Sequence, residues 1–382
     1  MMGNFANCHN IEDLRRLARR RLPSPVADYL DGGADDEVSV RGNRASYEAL
    51  SLVPDCLVGV ENVDPSTTVL GQPVSMPLLL APAALHRIFH PQGELAVARA
   101  AAAFHTMQFL SGMASTSLEE VARAGTAPRC FQVYPSRDRE LMRGLLARVR
   151  DAGYPALCIS VDVPVGGNRE RDRRAGVAMP PKFSLAGWLS VSAHPRWVWG
   201  FLTQGPIGMP NIFPDPRRKV RNADVRFDAG VRWTDIEWLV REWNGPLAIK
   251  GLLSAKDALQ AAQIGATAIV LSNHGGRQLD GAVAPLEVLD EVAQAVGDRL
   301  EILIDGGIRR GTDVVKALAL GARACLVGRP YLYGLAAGGQ PGVEHALDIF
   351  RSEITRALTL VGCPTPRHLA RRHVRAAGVR SG

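Results

Sequence analysis

The chain of 382 residues contains no CxxC pair and no Cys/His cluster at zinc-ligand spacing. Its six cysteines, Cys8, Cys56, Cys130, Cys158, Cys325 and Cys363, are scattered, which argues against a disulfide framework or a metal site and predicts reduced thiols, several buried as small apolar side chains. No uninterrupted apolar stretch approaches the roughly 20 residues of a membrane-spanning helix. The opening residues, Met-Met-Gly-Asn-Phe-Ala-Asn-Cys-His, have neither the basic region nor the apolar core of a secretory signal, so a cytoplasmic location is expected. The net charge of +7 does not imply nucleic acid. Dense basic clusters occur only at 15–21, 217–221 and 367–375, the first and last read as solvated helix faces or tails, and no nucleic-acid motif accompanies them. An anionic substrate or a phosphate-bearing cofactor is a better use of the excess charge.

With 46% hydrophobic and 22% charged residues, the composition is that of a soluble globular protein with one large core or two ordinary ones. The informative pattern is a short apolar run followed by a helical stretch, repeated. Runs at 77–82, 107–112, 129–134 and 156–162 precede helical segments at 93–104, 118–124, 139–152 and, after a long interruption, 233–243. The rhythm resumes with 246–251, 268–273, 301–306 and 324–329, followed by helices at 255–264, 286–296, 312–320 and around 343–358. Apolar runs without polar alternation indicate strands buried on both faces, as parallel sheets require. Eight such units predict a (β/α)₈ barrel. An open doubly wound sheet is the alternative, but it would carry a GxGxxG turn after its first strand, and residues 83–93 lack one. The expected organisation is one domain over 1–382: a helical extension at 1–75, the barrel at 76–360, and an irregular, lid-like insertion at 176–228 carrying Trp188, Trp197, Trp199, Phe201 and Phe213.

Barrel enzymes place their chemistry at the C-terminal ends of the strands. Those ends carry Ser111, Gln132, Tyr134, Ser160, Asp162, Lys250, Ser272, His274, Asp305 and Arg329. Each alone has a structural explanation: Asp162 caps a loop, Lys250 pairs with a buried acid, Gln132 satisfies backbone. Together they suggest a site. In the turn Leu271-Ser-Asn-His-Gly-Gly-Arg277, His274 and Arg277 stand three positions apart. An imidazole can take a proton near neutral pH, and a guanidinium can grip a carboxylate through two parallel hydrogen bonds. An isolated HxxR is more often a capping histidine and a solvated arginine; the setting at a strand end favours function. After strand seven, Asp305-Gly-Gly-Ile-Arg-Arg-Gly311, and after strand eight, Val327-Gly-Arg329, form a glycine-rich pair of loops suited to a phosphate group.

The stretches Tyr29-Leu-Asp-Gly-Gly33, His90-Pro-Gln-Gly-Glu94, Phe131-Gln-Val-Tyr134, Val161-Asp-Val-Pro164, Ile249-Lys-Gly251, 272–280 and 305–311 resemble the FMN-dependent 2-hydroxy acid oxidase and dehydrogenase family, over about residues 10–365. That family includes glycolate oxidase, lactate oxidase and mandelate dehydrogenase. The resemblance implies FMN as cofactor, no metal, and His274 as the base acting while two electrons leave C2 as a hydride or through a carbanion. It implies that Asp162 orients and stabilises the imidazolium, that Arg277 and Arg169 bind the carboxylate with the Tyr29 hydroxyl, and that Tyr134 bonds the substrate oxygen. Lys250 would sit by the flavin N1 and O2, and the flavin would rest on Pro82, Ala83 and Ala84, with Ser111, Gln132, Ser160 and Ser272 along its ring edge and ribityl chain. Asp305, Gly307, Arg309, Gly328 and Arg329 would surround its phosphate end. A homo-oligomer, commonly a tetramer, is also implied.

Departures from the family bear on substrate and acceptor. Met113 replaces the tryptophan of short-chain glycolate oxidases, and Val165-Gly-Gly-Asn168 is less bulky than usual, so an aromatic or longer aliphatic acid is expected. Ala84 points to O₂ as acceptor, giving H₂O₂; the tryptophan-rich insertion points instead to a quinone-linked, peripherally membrane-bound enzyme, because membrane-associated members bind through this loop. Oxidation of a peptide-derived biosynthetic intermediate is a further alternative, disfavoured because Arg277 and Arg169 are both kept. A non-catalytic flavin-binding scaffold would not need His274, Asp162, Tyr29, Tyr134 and Lys250 together.

Overall fold

The computed structural model describes residues 7–177, 182–213 and 227–377; the basic cluster at 217–221 and part of the insertion lie outside them. Eight parallel strands close into a barrel. In order they are Leu78–Leu80, Gln108–Ser111, Arg129–Val133, Ala156–Ser160, Leu247–Leu252, Ala268–Leu271, Glu301–Ile304 and Ala324–Val327. The closing pair joins the eighth strand to the first, with Leu326 opposite Leu79.

Alternation along each strand sorts side chains into two cores. Leu79, Phe109, Cys130, Ala156, Cys158, Ala248, Ala268, Val270, Leu303, Ala324 and Leu326 fill the interior. Their outward neighbours, among them Leu78, Leu110, Phe131, Leu157, Ile249 and Ile302, pack against the helical ring. The many alanines and cysteines inside are what a narrow interior demands. Continuing the same alternation beyond the apolar positions brings Ser111, Gln132, Ser160, Lys250, Ser272 and Asp305 to the inner face at the strand ends, all of them buried.

The segment before the barrel is not purely helical. Helices Ile11–Arg21, Ser24–Asp31 and Val38–Glu48 are present, but Thr67–Val69 and Gln72–Val74 form a hairpin. Its two turn residues, Leu70 and Gly71, both have positive φ (48° and 73°), the backbone of a tight hairpin turn. Val69, Leu70 and Val74 enter the interior core, and the Leu70 N–H donates to Glu301 Oε2 at 2.8 Å, so the hairpin plugs one end of the barrel. Leu50–Leu52 pairs antiparallel with Val374–Ala376. The insertion at 176–228, expected to be irregular, contains helices Leu185–Ser192 and Pro195–Thr203, and a further short helix, Glu170–Ala175, precedes it. Ser184 caps Leu185–Ser192 by accepting the Gly187 N–H, and Pro195 occupies the first turn of Pro195–Thr203. The last α-helix among the described residues, Arg329–Val361, is interrupted by non-helical geometry at Gly338 and Gly339, where a Cβ on Gly339 would lie 2.6 Å from Gln92 Oε1.

Candidate active site

The strand ends, the turn after strand six and the insertion helices enclose a cavity of about 1720 Å³. Tyr29, Tyr134, Arg169, Met113, His274 and Arg277 line it. So do Pro82, Ala83 and Ala84, the inner-face residues Ser111, Gln132, Ser160, Lys250 and Asp305, and, on the glycine loops, Gly307, Arg309, Gly328 and Arg329. Asp162 and Ser272 stand behind this wall, each bonded to a residue that lines it.

His274 lies in the left-handed region (φ 57°), followed by Gly275 and Gly276, also at positive φ. A tight turn of this kind aims the imidazole back over the barrel mouth, at a backbone cost of roughly 1–2 kcal/mol. The turn is held from outside: Asn43, on helix Val38–Glu48, exchanges two side-chain hydrogen bonds with Asn273, at 2.8 and 2.7 Å, and Asp280 accepts the N–H of Val38 and Ser39. His274 Nδ1 is 3.1 Å from Asp162 Oδ2. A carboxylate only accepts, so Nδ1 carries the proton and Nε2 keeps its lone pair. Burial pushes the Asp162 carboxyl up, but His274 and Lys250 outweigh it and leave the group below the usual carboxylate range. Close approach of strand five makes this possible: Gly251 has φ 108°, and a Cβ there would stand 2.5 Å from Asp162 Cβ.

Lys250 donates to Ser272 Oγ at 2.6 Å and pairs with Asp305 at 2.8 Å. Burial disfavours its charge, yet Asp305 and Asp162 hold the ammonium above its ordinary range. Tyr134 is pushed up to about 12 by burial and by Asp162; it stays a neutral O–H donor, with its ring edge-on to Phe227 at 5.2 Å.

Arg277 donates through Nη1 to the carbonyls of Tyr29 and Gly32, and lies over the Tyr29 ring at 5.0 Å. Arg169 Nε donates to the Arg277 carbonyl. Burial first, and then the charge of Arg169, lowers the Arg277 pKa; two like charges in one cavity wall favour an anion between them. Arg329 lines the cavity and also braces its wall. Its guanidinium donates to the carbonyls of Leu30, Gly32 and Gly275, and burial lowers it to about 10. It ties the helix end at Asp31 to the His274 turn, while the Arg309 guanidinium, whose Nη1 donates to the neighbouring Ile308 carbonyl, makes fewer hydrogen bonds among the described residues.

Several residues went unnoticed in the sequence. Asp172 sits 3.4 Å from Arg277 Nη2, and Gln278 bonds the carbonyls of Asp162 and Val165. Asp172 lies in a charged helix and Gln278 next to the HxxR motif, but nothing in either pattern signals its partner.

The donor set fits a flavin mononucleotide. Gln132 Nε2 and Asp305 Oδ1 are buried without a partner among the described residues on residues that line the cavity, Lys250 supplies a fixed cation, Pro82 to Ala84 provide an apolar wall, and Gly306 and Gly307, at φ 90° and 81°, present backbone at one end. A barrel with an oriented base, a paired arginine wall and this cradle defines a flavin-dependent oxidoreductase acting on a small acid. The family model described as FMN-dependent dehydrogenase matches residues 18–376. The chain is 44% identical over 358 residues to an L-lactate oxidase of Nostoc sp., covering 93% of this chain and 94% of that protein. It is 40% identical over 371 residues to a peroxisomal (S)-2-hydroxyacid oxidase of Arabidopsis thaliana, covering 97% of each. The solved structure of the monotopic membrane protein (S)-mandelate dehydrogenase superposes with a TM-score of 0.93 at 39% identity, over 97% of this chain and all of that one. A mandelate oxidase mutant with (S)-mandelic acid gives 0.82 at 38%, over 96% and 98%. The chain belongs to the FMN-dependent dehydrogenase family, as an oxidoreductase of 2-hydroxy acids.

Proposed function

We propose that this enzyme oxidises an (S)-2-hydroxy acid larger than glycolate to its 2-keto acid. The observation that carries the reading is His274, with Nδ1 fixed on Asp162, in the same cavity wall as the adjacent cations Arg169 and Arg277. FMN, when bound, accepts the two electrons that leave C2. Arg277 and Arg169 hold the substrate carboxylate with help from Tyr29, Tyr134 donates to the substrate oxygen, and His274 Nε2 accepts the proton. Asp162 stabilises the resulting imidazolium, an orienting role like that of the acid in a catalytic triad. Lys250 would hold the flavin beside a fixed positive charge that favours its taking up electrons.

Substrate size follows from the space beyond the base. Met113, Gly166 and Gly167 line the cavity, which continues between the insertion helices along Val191, Trp197 and Phe201; an aryl or longer alkyl group suits that apolar space. The deciding experiment follows visible flavin absorbance anaerobically while lactate, mandelate, glycolate and longer 2-hydroxy acids are added. Bleaching by mandelate or longer acids in preference to glycolate is expected; no bleaching by any of them refutes the activity, and a preference for glycolate refutes the size argument.

For the acceptor, Ala84 beneath the flavin supports O₂, with H₂O₂ as product. A specific observation favours a second reading, a membrane quinone. Leu185, Trp188, Leu189, Trp199 and Leu202 are all exposed on the two insertion helices, and 182–213 contains no acidic residue; apolar and tryptophan side chains with only basic neighbours are suited to an anionic lipid surface. Stopped-flow reoxidation by O₂ against a soluble quinone, with flotation on anionic vesicles, separates the two. A cytoplasmic homotetramer is the proposed state, checked by light scattering.

A further inference from the structure

Behind the first strand lies a buried cluster of titratable side chains that the chemistry above does not use. Glu94, in the first turn of helix Gly93–Ala103, is fully buried. Its carboxylate accepts the N–H groups of His86 at 3.1 Å and Ser115 at 2.7 Å, and the hydroxyls of Ser115 at 2.8 Å and Thr116 at 2.7 Å. Those donors come from the segments that follow strands one and two, so Glu94 locks the two together. A second tie joins them: the Leu85 N–H donates to the Met113 carbonyl at 3.2 Å.

His86, also buried, places Nε2 3.0 Å from the Tyr331 hydroxyl, which lies 2.8 Å from the Ala81 carbonyl oxygen. A carbonyl only accepts, so the one Tyr331 proton goes to Ala81. Tyr331 must then accept from His86, which fixes the imidazole proton on Nε2. Nδ1 has no hydrogen bond among the described residues and lies 3.6 Å from Glu94 Oε1. Burial, against the pull of Glu94, holds this imidazole below its usual range, in keeping with the neutral tautomer. The chain of donors therefore runs in one direction and ends on Ala81, the residue just before the Pro82 to Ala84 wall.

We infer that His86 and Tyr331 are positioning residues that fix the Ala81–Ala84 backbone against the flavin, an inference that rests on the flavin site proposed above. Tyr331 restrains the Ala81 carbonyl from outside the cavity, and His86 keeps the phenol from turning away. Neither residue lines the cavity, so their effect is transmitted through the wall. Removing either end frees a backbone segment against which the ring packs, without touching His274, Asp162 or the arginines.

The test compares Tyr331→Phe, His86→Leu and His86→Gln as holoenzymes. FMN release on dilution is read by flavin fluorescence, the flavin midpoint potential by dye equilibration, and the melting temperature separately. Tyr331→Phe and His86→Leu should each raise the FMN dissociation constant about tenfold, as loss of one buried hydrogen bond implies, and shift the potential. His86→Gln, whose amide N–H can still reach the Tyr331 hydroxyl, should restore both. Three variants that lower the melting temperature equally, with potential and FMN affinity unchanged, would reduce the cluster to a structural role and overturn the inference. Equal loss in His86→Gln and His86→Leu would overturn the directed donor chain, and this pair decides the matter even if Tyr331→Phe does not fold. A wild-type protein that binds no FMN would instead bring down the flavin site itself, and the inference with it.

Discussion

Replacing Asp162 by asparagine measures how much of the base's competence comes from its partner. The carboxylate stands 3.1 Å from His274 Nδ1, with the two side chains 10% and 22% exposed, so the pair is partly shielded from water. Opposite unit charges about 4 Å apart attract by about 4 kcal/mol at an effective dielectric constant of 20. That attraction exists only once the imidazole has gained its proton, so it lowers the barrier rather than strengthening substrate binding. An asparagine carbonyl can still accept from Nδ1, which retains part of the effect and leaves a loss of about 2–4 kcal/mol. At about 1.4 kcal/mol per tenfold, flavin reduction slows by about 30- to 1000-fold. Anaerobic stopped-flow at varied substrate separates the limiting reduction rate from the apparent dissociation constant, and only the rate should fall. A rate close to wild type would show that Asp162 does not stabilise the protonated base; an intact rate with weakened binding would move Asp162 into substrate recognition. Because its neighbours hold the Asp162 carboxyl below the usual range, it should stay ionised as pH falls through the ordinary aspartate range.

Arg277→Met should raise the substrate dissociation constant about 100-fold, as loss of a buried charge-assisted contact implies. Arg277→Lys, which keeps the charge without the fork, should fall between; normal affinity in the methionine variant would remove the clamp role. Met113→Trp should lower the ratio of kcat/KM for mandelate over glycolate by about tenfold or more, and an unchanged ratio would exclude Met113 as a determinant of size. Asp31 accepts from Arg15, Arg19 and the buried Tyr333 hydroxyl, and although burial opposes it, these partners lower its pKa. With the arginines 36% and 42% exposed, Asp31→Asn should cost only about 1–3 kcal/mol at neutral pH. A depressed folded-state pKa gives stability that is present above the ordinary aspartate range and lost as pH falls through and below it. The gap in urea midpoint between wild type and variant should therefore close in acid, and a gap that widens there would refute the pairing.

Much of this architecture is legible from local pattern. Unbroken apolar runs such as Ala268–Leu271 mark strands buried on both faces, and the helical periods between them set the barrel order, because backbone pairing and alternation are local rules that long-range context did not override. The same alternation made the inner-face residues readable: a polar residue two positions beyond a buried one, like Lys250 after Ala248 or Ser272 after Val270, can only point to the mouth. Candidate roles could be proposed where several motifs agreed, as for His274 and Arg277.

Contacts between distant segments were decided only in three dimensions. The tie between Asn43 and Asn273 spans 230 positions, and the Asp172–Arg277 pair spans 105; neither leaves a periodicity to read. The tryptophan-rich insertion looked irregular because its helices are short, and the hairpin at Thr67–Val74 was hidden in a segment otherwise dominated by helices. Arg329 shows the limit most clearly. Its place after strand eight was readable, but its donors go to Leu30, Gly32 and Gly275, because a buried guanidinium must satisfy its N–H groups on whichever carbonyls folding brings within reach. The strand ends determine which side chains reach the mouth; the packing of helix Ser24–Asp31 and the His274 turn around them decides what each is left free to do.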